Sequence, residues 1–258
     1  YYIILAGMNT LCVIPARYGS QRFPGKPLYP MAGRPMIQWV YEAAIRSQAF
    51  KRVVVATDDE RIKKAVRQFS GEAIMTSGDH VSGTERLLEV MKTYGGFDTY
   101  FNLQGDEPLI APGLLRDMVD RLNVLPTGSI LTPVHRASLE DLDDPNVVKV
   151  ILDSKGKALY FSRAPIPYQR GGATAPSELY RHIGLYGFSK SVLKEIEQMV
   201  AHPVEQMERL EQLRWLLNGV PIYVHLTEYE AFGVDTLDQA KKAEQLLQTK
   251  PPTAGDPH

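Results

Sequence analysis

The sequence predicts an α/β protein built on a doubly wound, mostly parallel sheet with a β-hairpin excursion. Three observations predict it. Short apolar, β-branched runs alternate with amphipathic helical stretches through the first half. A basic loop containing glycine follows directly on the first of those runs. A turn-bounded pair of β-rich segments then interrupts the rhythm.

The elements follow in order. Residues 11–15 form the first strand, and Cys12 inside it reads as a buried, inert thiol. Residues 36–46 form a helix with Met36, Trp39, Val40, Ala43 and Ala44 on one face. Residues 52–57 are a continuous valine-rich run, the mark of a parallel strand covered on both faces. A helix over 59–69, a short strand over 73–75, a helix over 84–94 and a strand over 99–103 continue the alternation, with right-handed crossovers expected. Residues 147–152 are β-rich, and D-S-K-G-K turns them into 158–162, a hairpin signal. Pro165, Pro167 and a flexible Gly171-Gly172 stretch follow. The segment from about 146 to 185 is read as an excursion from the sheet, not a separate domain. After it come a strand over 183–188, a helix over 190–199 and a longer helix over 204–217. That last helix places Val204, Met207, Leu210, Leu213 and Leu217 on its apolar face. A strand over 221–226 and a helix over 237–247 close the chain. Residues 8–250 are thus expected to be one domain, with 1–7 and 251–258 as tails. The first seven residues lack the basic start and the length of a secretory signal, and Met8 is read as the natural start. The Pro-rich C-terminal stretch is expected to be disordered.

Composition excludes several classes. A net charge of -1 argues against a protein that coats nucleic acid. A single cysteine rules out an internal disulfide and a cysteine-based zinc cluster. No run of about 18 apolar residues exists to span a membrane.

The loop after the first strand carries the strongest chemical signal. Residues 13–28 read V-I-P-A-R-Y-G-S-Q-R-F-P-G-K-P-L. Gly19 and Gly25 permit close backbone approach, and Arg17, Arg22 and Lys26 supply fixed positive charge. Such a loop at the carboxyl end of a first strand can hold a triphosphate. It is not a Walker A loop: five residues separate Gly19 from Gly25, and Pro27 follows Lys26 where a metal-binding hydroxyl would stand. The metal must be held elsewhere. A solvated basic surface loop is the plain alternative, and three cations among Gly and Pro after a buried strand weigh against it.

Four further motifs bear on chemistry. In N-L-Q-G-D-E-P, residues 102–108, Asp106 ends a strand at the same sheet edge as the basic loop. It reads as a Mg²⁺ carboxylate, or as an ordinary Gly-Asp turn. Asp235 in F-G-V-D-T reads as a second metal carboxylate, or as the cap of the helix near Leu237. In S-G-T-E-R, residues 82–86, Ser82 or Thr84 can cap a helix, and Gly83 suits a base or ribose edge contacted by backbone. A-L-Y-F-S-R and R-H-I-G-L-Y offer Arg163, Arg181 and His182 to an anionic second substrate such as a sugar acid. Glu211 and Gln212 fall on the polar side of the long helix, where plain solvation is the alternative.

Taken together these motifs resemble the 3-deoxy-manno-octulosonate (Kdo) cytidylyltransferases, the CMP-Kdo synthetases. The matching residues are I-P-A-R-Y-G-S-Q-R-F-P-G-K-P-L, V-V-A-T-D-D, S-G-T-E-R, N-L-Q-G-D-E-P, A-L-Y-F-S-R, R-H-I-G-L-Y-G-F and L-E-Q-L-R, spread from Met8 to about Leu247. The opening loop alone would indicate only the wider nucleotidyltransferase superfamily. The resemblance implies a Rossmann-like nucleotidyltransferase fold and a cytoplasmic homodimer paired through the hairpin excursion. It implies CTP and Kdo as substrates, Mg²⁺ as cofactor, and CMP-Kdo for lipopolysaccharide synthesis and pyrophosphate as products. Arg17 and Lys26 match the loop on the triphosphate. Thr57, Asp58, Ser82, Gly83 and Thr84 match the region of the cytidine, and Asp106 and Asp235 the metal carboxylates. Gln104, Arg163, His182, Tyr186, Glu211 and Gln212 match the sugar pocket. The catalytic set is then Arg17, Lys26, Asp106 and Asp235, with Lys26 expected on phosphate oxygens, not on a carboxylate. No side chain stands out as general base, and metal-assisted deprotonation is the expectation. Glu85 and Glu107, which a branch acting on 8-amino-Kdo tends to replace, are both present and favour plain Kdo. Sialic acid synthetases share the opening style but not A-L-Y-F-S-R with L-E-Q-L-R. A non-catalytic nucleotide-binding protein of this fold should lack a carboxylate or a phosphate cation, and none is lacking.

Overall fold

The structure, a computed structural model, describes residues 9–20, 22–170 and 178–249. The expectations for Gly171-Gly172 and for the two tails lie outside the described residues. The chain divides into two compact units, one comprising Tyr1–Asn123 with Tyr229–His258, the other Val124–Glu228.

The first unit holds the alternating part. Its elements are β1 (Thr10–Ala16), β2 (Pro30–Met31), β3 (Arg34–Pro35), α1 (Met36–Ser47), β4 (Arg52–Thr57), α2 (Glu60–Gln68), β5 (Ala73–Met75), α3 (Gly83–Thr93), β6 (Thr99–Asn102) and α4 (Pro112–Asn123). The sheet runs β5-β4-β1-β6, and every pair is parallel. Leu11, Cys12, Val13 and Ile14 of β1 and Val54, Val55 and Ala56 of β4 are fully buried. That is why these strands read as unbroken apolar runs: helices cover both faces. Burial pushes the Cys12 thiol far above its usual pKa, so it is inert. In α1 the predicted face is buried, and the Trp39 indole donates to the Met31 carbonyl at 2.9 Å. Helix α4 went unread in the sequence, although Leu114, Leu115, Met118, Val119 and Leu122 mark a helical face that is buried.

The second unit contains β7 (Ile130–Arg136), α5 (Leu139–Asp143), β8 (Lys149–Leu152), β9 (Ala158–Ser162), β10 (Tyr180–His182), β11 (Tyr186–Ser189), α6 (Lys190–Ile196), α7 (Pro203–Glu208), α8 (Gln212–Leu217) and β12 (Ile222–Leu226). The predicted hairpin is present, with β8 and β9 antiparallel. Strand β7 pairs antiparallel with both β10 and β11 and parallel with β12. The strand expected over 183–188 forms only from Tyr186 onward, as β11. Thr132 of β7 donates its hydroxyl to the carbonyls of Ile183 and Leu185, at 3.1 and 2.8 Å, and the ladder is interrupted there.

The single helix expected over 204–217 is two. Arg209 adopts a left-handed conformation (φ 53°) and ends α7, so the helical phase restarts at α8. Leu210 and Leu213 are buried, whereas Met207 is 83% exposed. The helix expected over 190–199 stops at Ile196.

The chain then returns to the first unit with α9 (Leu237–Thr249). Val234, Ala240, Ala243 and Leu247 pack with Met31, Met36 and Trp39 in one buried cluster. Each large apolar side chain buried there is worth about 1.5–3 kcal/mol, enough to fix the returning segment on the opening loop.

Candidate active site

The basic loop is folded tightly enough to aim one cation. Gly25 sits at φ +73°, where a side chain would be strained, and its Cβ position lies 3.0 Å from the Tyr18 ring. Its N–H donates to the Tyr18 carbonyl at 2.8 Å, and the chain then enters a short 3-10 turn over Lys26–Leu28. Lys26 leaves this turn toward the carboxyl end of the parallel strands. Its Nζ lies 2.6 Å from Asp106 Oδ2, 3.1 Å from Asp235 Oδ1 and 2.9 Å from the Val234 carbonyl. Arg22 holds the other Asp235 oxygen at 2.8 Å.

Asp106 and Asp235 are therefore brought together, and a third carboxylate explains how. Glu107 Oε2 accepts from the Phe232 N–H at 3.2 Å and from the Tyr229 hydroxyl at 3.3 Å. The Val234 N–H donates to the Asp106 carbonyl at 2.9 Å. The Q-G-D-E turn thus tethers the F-G-V-D segment through main chain. Asp235 is not the helix cap: its carboxylate faces Lys26 and Arg22, and the Thr236 hydroxyl accepts from the Gln239 N–H at 3.3 Å instead.

Lys26 differs from the expectation that it reaches phosphate oxygens and not a carboxylate: it bonds two carboxylates. Burial lowers its affinity for a proton, but the charges and hydrogen bonds of Asp106 and then Asp235 outweigh that and raise its pKa. Two carboxylates aimed at one positive centre form a donor set that suits Mg²⁺, which takes one or two carboxylates and completes its shell with phosphate oxygens and water. No group of three or more metal-ligating side chains occurs among the described residues, so such an ion would need those outside ligands. Arg17 is exposed at the end of β1. Gln104 follows β6 and is partly exposed.

The positions matched to the cytidine lie on neighbouring elements of this unit. Thr57 ends β4, fully buried, and its hydroxyl accepts from the Asp59 N–H at 3.2 Å. Asp58 pairs at 3.4 Å with Arg86, whose side chain is almost fully buried and also bonds the Thr76 hydroxyl. Sequence reasoning quoted Arg86 without giving it this role; a buried guanidinium looks like a surface charge in a helical pattern. Ser82 is the cap of α3, accepting from the Glu85 N–H at 3.2 Å. Gly83 lies against the Asn102 amide and Pro15, and Thr84 is buried within 3.5 Å of Asn102 Nδ2. The outer oxygens Asp58 Oδ1 and Asn102 Oδ1 are buried with no hydrogen-bond partner among the described residues.

In the second unit, His182 ends β10 and Tyr186 opens β11, with ring centroids 5.3 Å apart. Tyr186 meets Trp215 of α8 edge-on at 5.1 Å, and Phe161 of β9 meets His182 at 5.2 Å. Burial, then the Glu211 charge, raises the Tyr186 pKa well above its usual value, so Tyr186 stays a neutral donor. Gln212 is not solvated, the plain alternative for its polar helix face: it is only 3% exposed, and its Nε2 has no partner among the described residues. Arg163 follows β9 and is held by Glu208, which sequence reasoning did not single out.

Burial pushes the His182 pKa down to about 3, so the ring is neutral at neutral pH. Thr132 already gives its proton to carbonyls, so His182 Nε2 donates to the Thr132 hydroxyl at 2.9 Å. The unfolded chain takes up the His proton near pH 6.5 and the folded chain only near 3. Stability is therefore fully present above about 6.5 and is lost as pH falls toward 3, by at most about 1.4 kcal/mol per pH unit from this group. Urea midpoints measured between pH 7 and 5 should fall less steeply for His182→Gln than for the wild type. Parallel curves would show that His182 is not the group responsible.

Comparison with known proteins bears on what this site does. A family model described as cytidylyltransferase matches residues 11–226. The 3-deoxy-manno-octulosonate cytidylyltransferase of Thermodesulfovibrio yellowstonii is 45% identical over 254 residues, covering 94% of this chain and 99% of its own. That of Marinobacter nauticus is 46% identical over 256 residues, with 93% and 98% covered. Among solved structures, a CMP:2-keto-3-deoxy-manno-octonic acid synthetase complexed with CTP superposes with a TM-score of 0.89 at 42% identity, covering 94% of this chain and 99% of that one. A cytidylyltransferase from Leptospira borgpetersenii, 20% identical with a TM-score of 0.66, shares the fold.

Proposed function

This chain belongs to the cytidylyltransferase family, among the 3-deoxy-manno-octulosonate cytidylyltransferases, and from that premise we propose how its residues divide the reaction. CMP passes from CTP to Kdo, giving CMP-Kdo and pyrophosphate, the activated sugar that lipopolysaccharide synthesis consumes. The anomeric hydroxyl of Kdo attacks the α-phosphorus in line and loses its proton to solvent water as the bond to pyrophosphate breaks. Positioning and charge stabilisation carry such a transfer, with little covalent chemistry for the protein.

The observation that supports this division best is the meeting of Asp106, Asp235 and Lys26 at one point, although they are far apart in sequence. Asp106 and Asp235 would hold Mg²⁺, which when bound neutralises phosphate oxygens and makes the attacking hydroxyl more acidic. With CTP present, Lys26 and Arg17 neutralise charge on the triphosphate and on departing pyrophosphate. Arg86 holds Asp58, and the unpartnered oxygens of Asp58 and Asn102 suit N–H donors of a base. On the sugar side, Arg163 meets the Kdo carboxylate, and His182, Tyr186, Glu211 and Gln212 meet hydroxyls. The buried, unpartnered Gln212 amide supports this assignment, because such a group calls for a partner. The working form is a cytoplasmic homodimer, paired through the hairpin surface on which Leu159 and Tyr168 are exposed. No helix among the described residues is long and apolar enough to cross a membrane.

Pyrophosphate release from CTP with Mg²⁺ tests the reaction against Kdo, 8-amino-Kdo and sialic acid in parallel. Release with Kdo, abolished by a chelator, is expected. Faster release with another acid would reassign the acceptor, and no release with any would overturn the reading. Light scattering of the same sample checks the dimer.

A further inference from the structure

A fully buried lysine in the second unit has no part in the division of labour above. Lys149 of β8 is 0% exposed. Its ammonium donates to the carbonyls of Asp144 at 2.9 Å, Val147 at 2.8 Å and Arg163 at 2.7 Å. An ammonium has three donors, and all three are spent on main chain. Burying a positive charge without a direct carboxylate contact is costly, and an apolar residue at this strand position would avoid the cost. What the ammonium does is tie the turn before β8 to the residue after β9.

That residue is Arg163, and it is gripped from the other side as well. Its N–H donates to Glu208 Oε2 at 2.9 Å, and its Nε to the Glu208 carbonyl at 2.9 Å. The other carboxylate oxygen of Glu208 accepts from the Ser162 hydroxyl at 2.5 Å. Arg163 Nη1 donates to the Pro145 carbonyl at 3.0 Å, in the same turn that Lys149 holds. The carbonyl, the N–H, Nε and Nη1 of Arg163 are thus all fixed. A long, mobile side chain has become a rigid fork whose outer edge, at Nη2, meets no partner among the described residues.

We propose that Lys149 and Glu208 are positioning residues that fix the Arg163 main chain, and through it hold the guanidinium ready for the carboxylate of the acidic sugar. The inference rests on the reading of Arg163 as the sugar-acid receptor. A fork fixed before the substrate arrives loses little freedom on binding, and its effect falls on the sugar alone.

Steady-state pyrophosphate release by the full chain tests it, with Arg163→Ala, Glu208→Gln, Lys149→Met and the double variant Glu208→Gln/Arg163→Ala. Glu208→Gln preserves shape and keeps the test open should Lys149→Met fail to fold. Glu208→Gln should raise the KM for Kdo roughly tenfold, the scale of one charge-assisted hydrogen bond, with the KM for CTP within about twofold. Once Arg163 is gone, removing the Glu208 charge should raise the KM for Kdo no further. Full multiplication of the two single effects, or equal changes in both KM values, would overturn the positioning role and leave Arg163 as the receptor. A normal KM for Kdo in Arg163→Ala would overturn the receptor reading itself, and the inference with it.

Discussion

Asp106→Asn is expected to lower kcat/KM by about 10²–10³-fold, the usual scale for removing one group that stabilises transition-state charge. The carboxylate touches the Lys26 ammonium at 2.6 Å and shares that cation with Asp235. Asn keeps the shape and loses the charge. Asp235→Asn should cost a similar factor, and the double variant little more than either, because residues that act as one unit do not add. Circular dichroism should stay unchanged, since Asp106 is partly exposed and its carbonyl bond to Val234 N–H is main chain. Lys64, exposed on α2, is the control: Lys64→Ala should retain full turnover where Lys26→Ala does not. Wild-type rates in either Asp variant would sink the assignment of these carboxylates.

The second large effect is expected at a residue with no side chain. A Cβ on Gly105 would stand 2.7 Å from the Pro15 carbonyl oxygen, closer than such atoms come, and that oxygen is backbone. Either the end of β1 or the turn bearing Asp106 must move. Displacement of a reacting group by about 1 Å can cost 10²-fold in rate, so Gly105→Ala should lose activity on that scale and also melt at lower temperature. Gly96→Ala is the matched control, because its Cβ would meet nothing within 4 Å. If Gly105→Ala turned over CTP at the wild-type rate, the close approach of the two segments would not be needed for the site.

How much of this was legible in the sequence depended on how local the cause is. The valine run of β4 and the face of α1 are set by neighbours along the chain, and both were read correctly. The basic loop was legible as a cation loop, but where Lys26 points is decided by two distant carboxylates. The meeting of Asp106 with Asp235 was readable only through resemblance, because nothing in their spacing links them. Glu107 was noticed as a mark of acceptor choice, whereas its carboxylate ties down Phe232 and Tyr229. Lys149 and Glu208 escaped notice, and Arg86 was given no role, for one physical reason: a charged residue reads as solvated until its partners are known. The strand shortened to β11 and the helix broken into α7 and α8 failed where a single side chain or one left-handed residue overrides the local pattern.

The return of the chain to its first unit has a consequence for birth order on the ribosome. The strands up to β6 can emerge and pair early, but Met31, Met36 and Trp39 then face outward without the cover that Val234 and α9 provide. Asp235 is made last of the four charged groups that meet there, after Arg22, Lys26 and Asp106. A nascent chain interrupted after Glu228 would have a sheet and a cation loop, but half a carboxylate pair and an open apolar face. The same closing segment therefore completes the apolar cluster and delivers the second carboxylate beside Lys26.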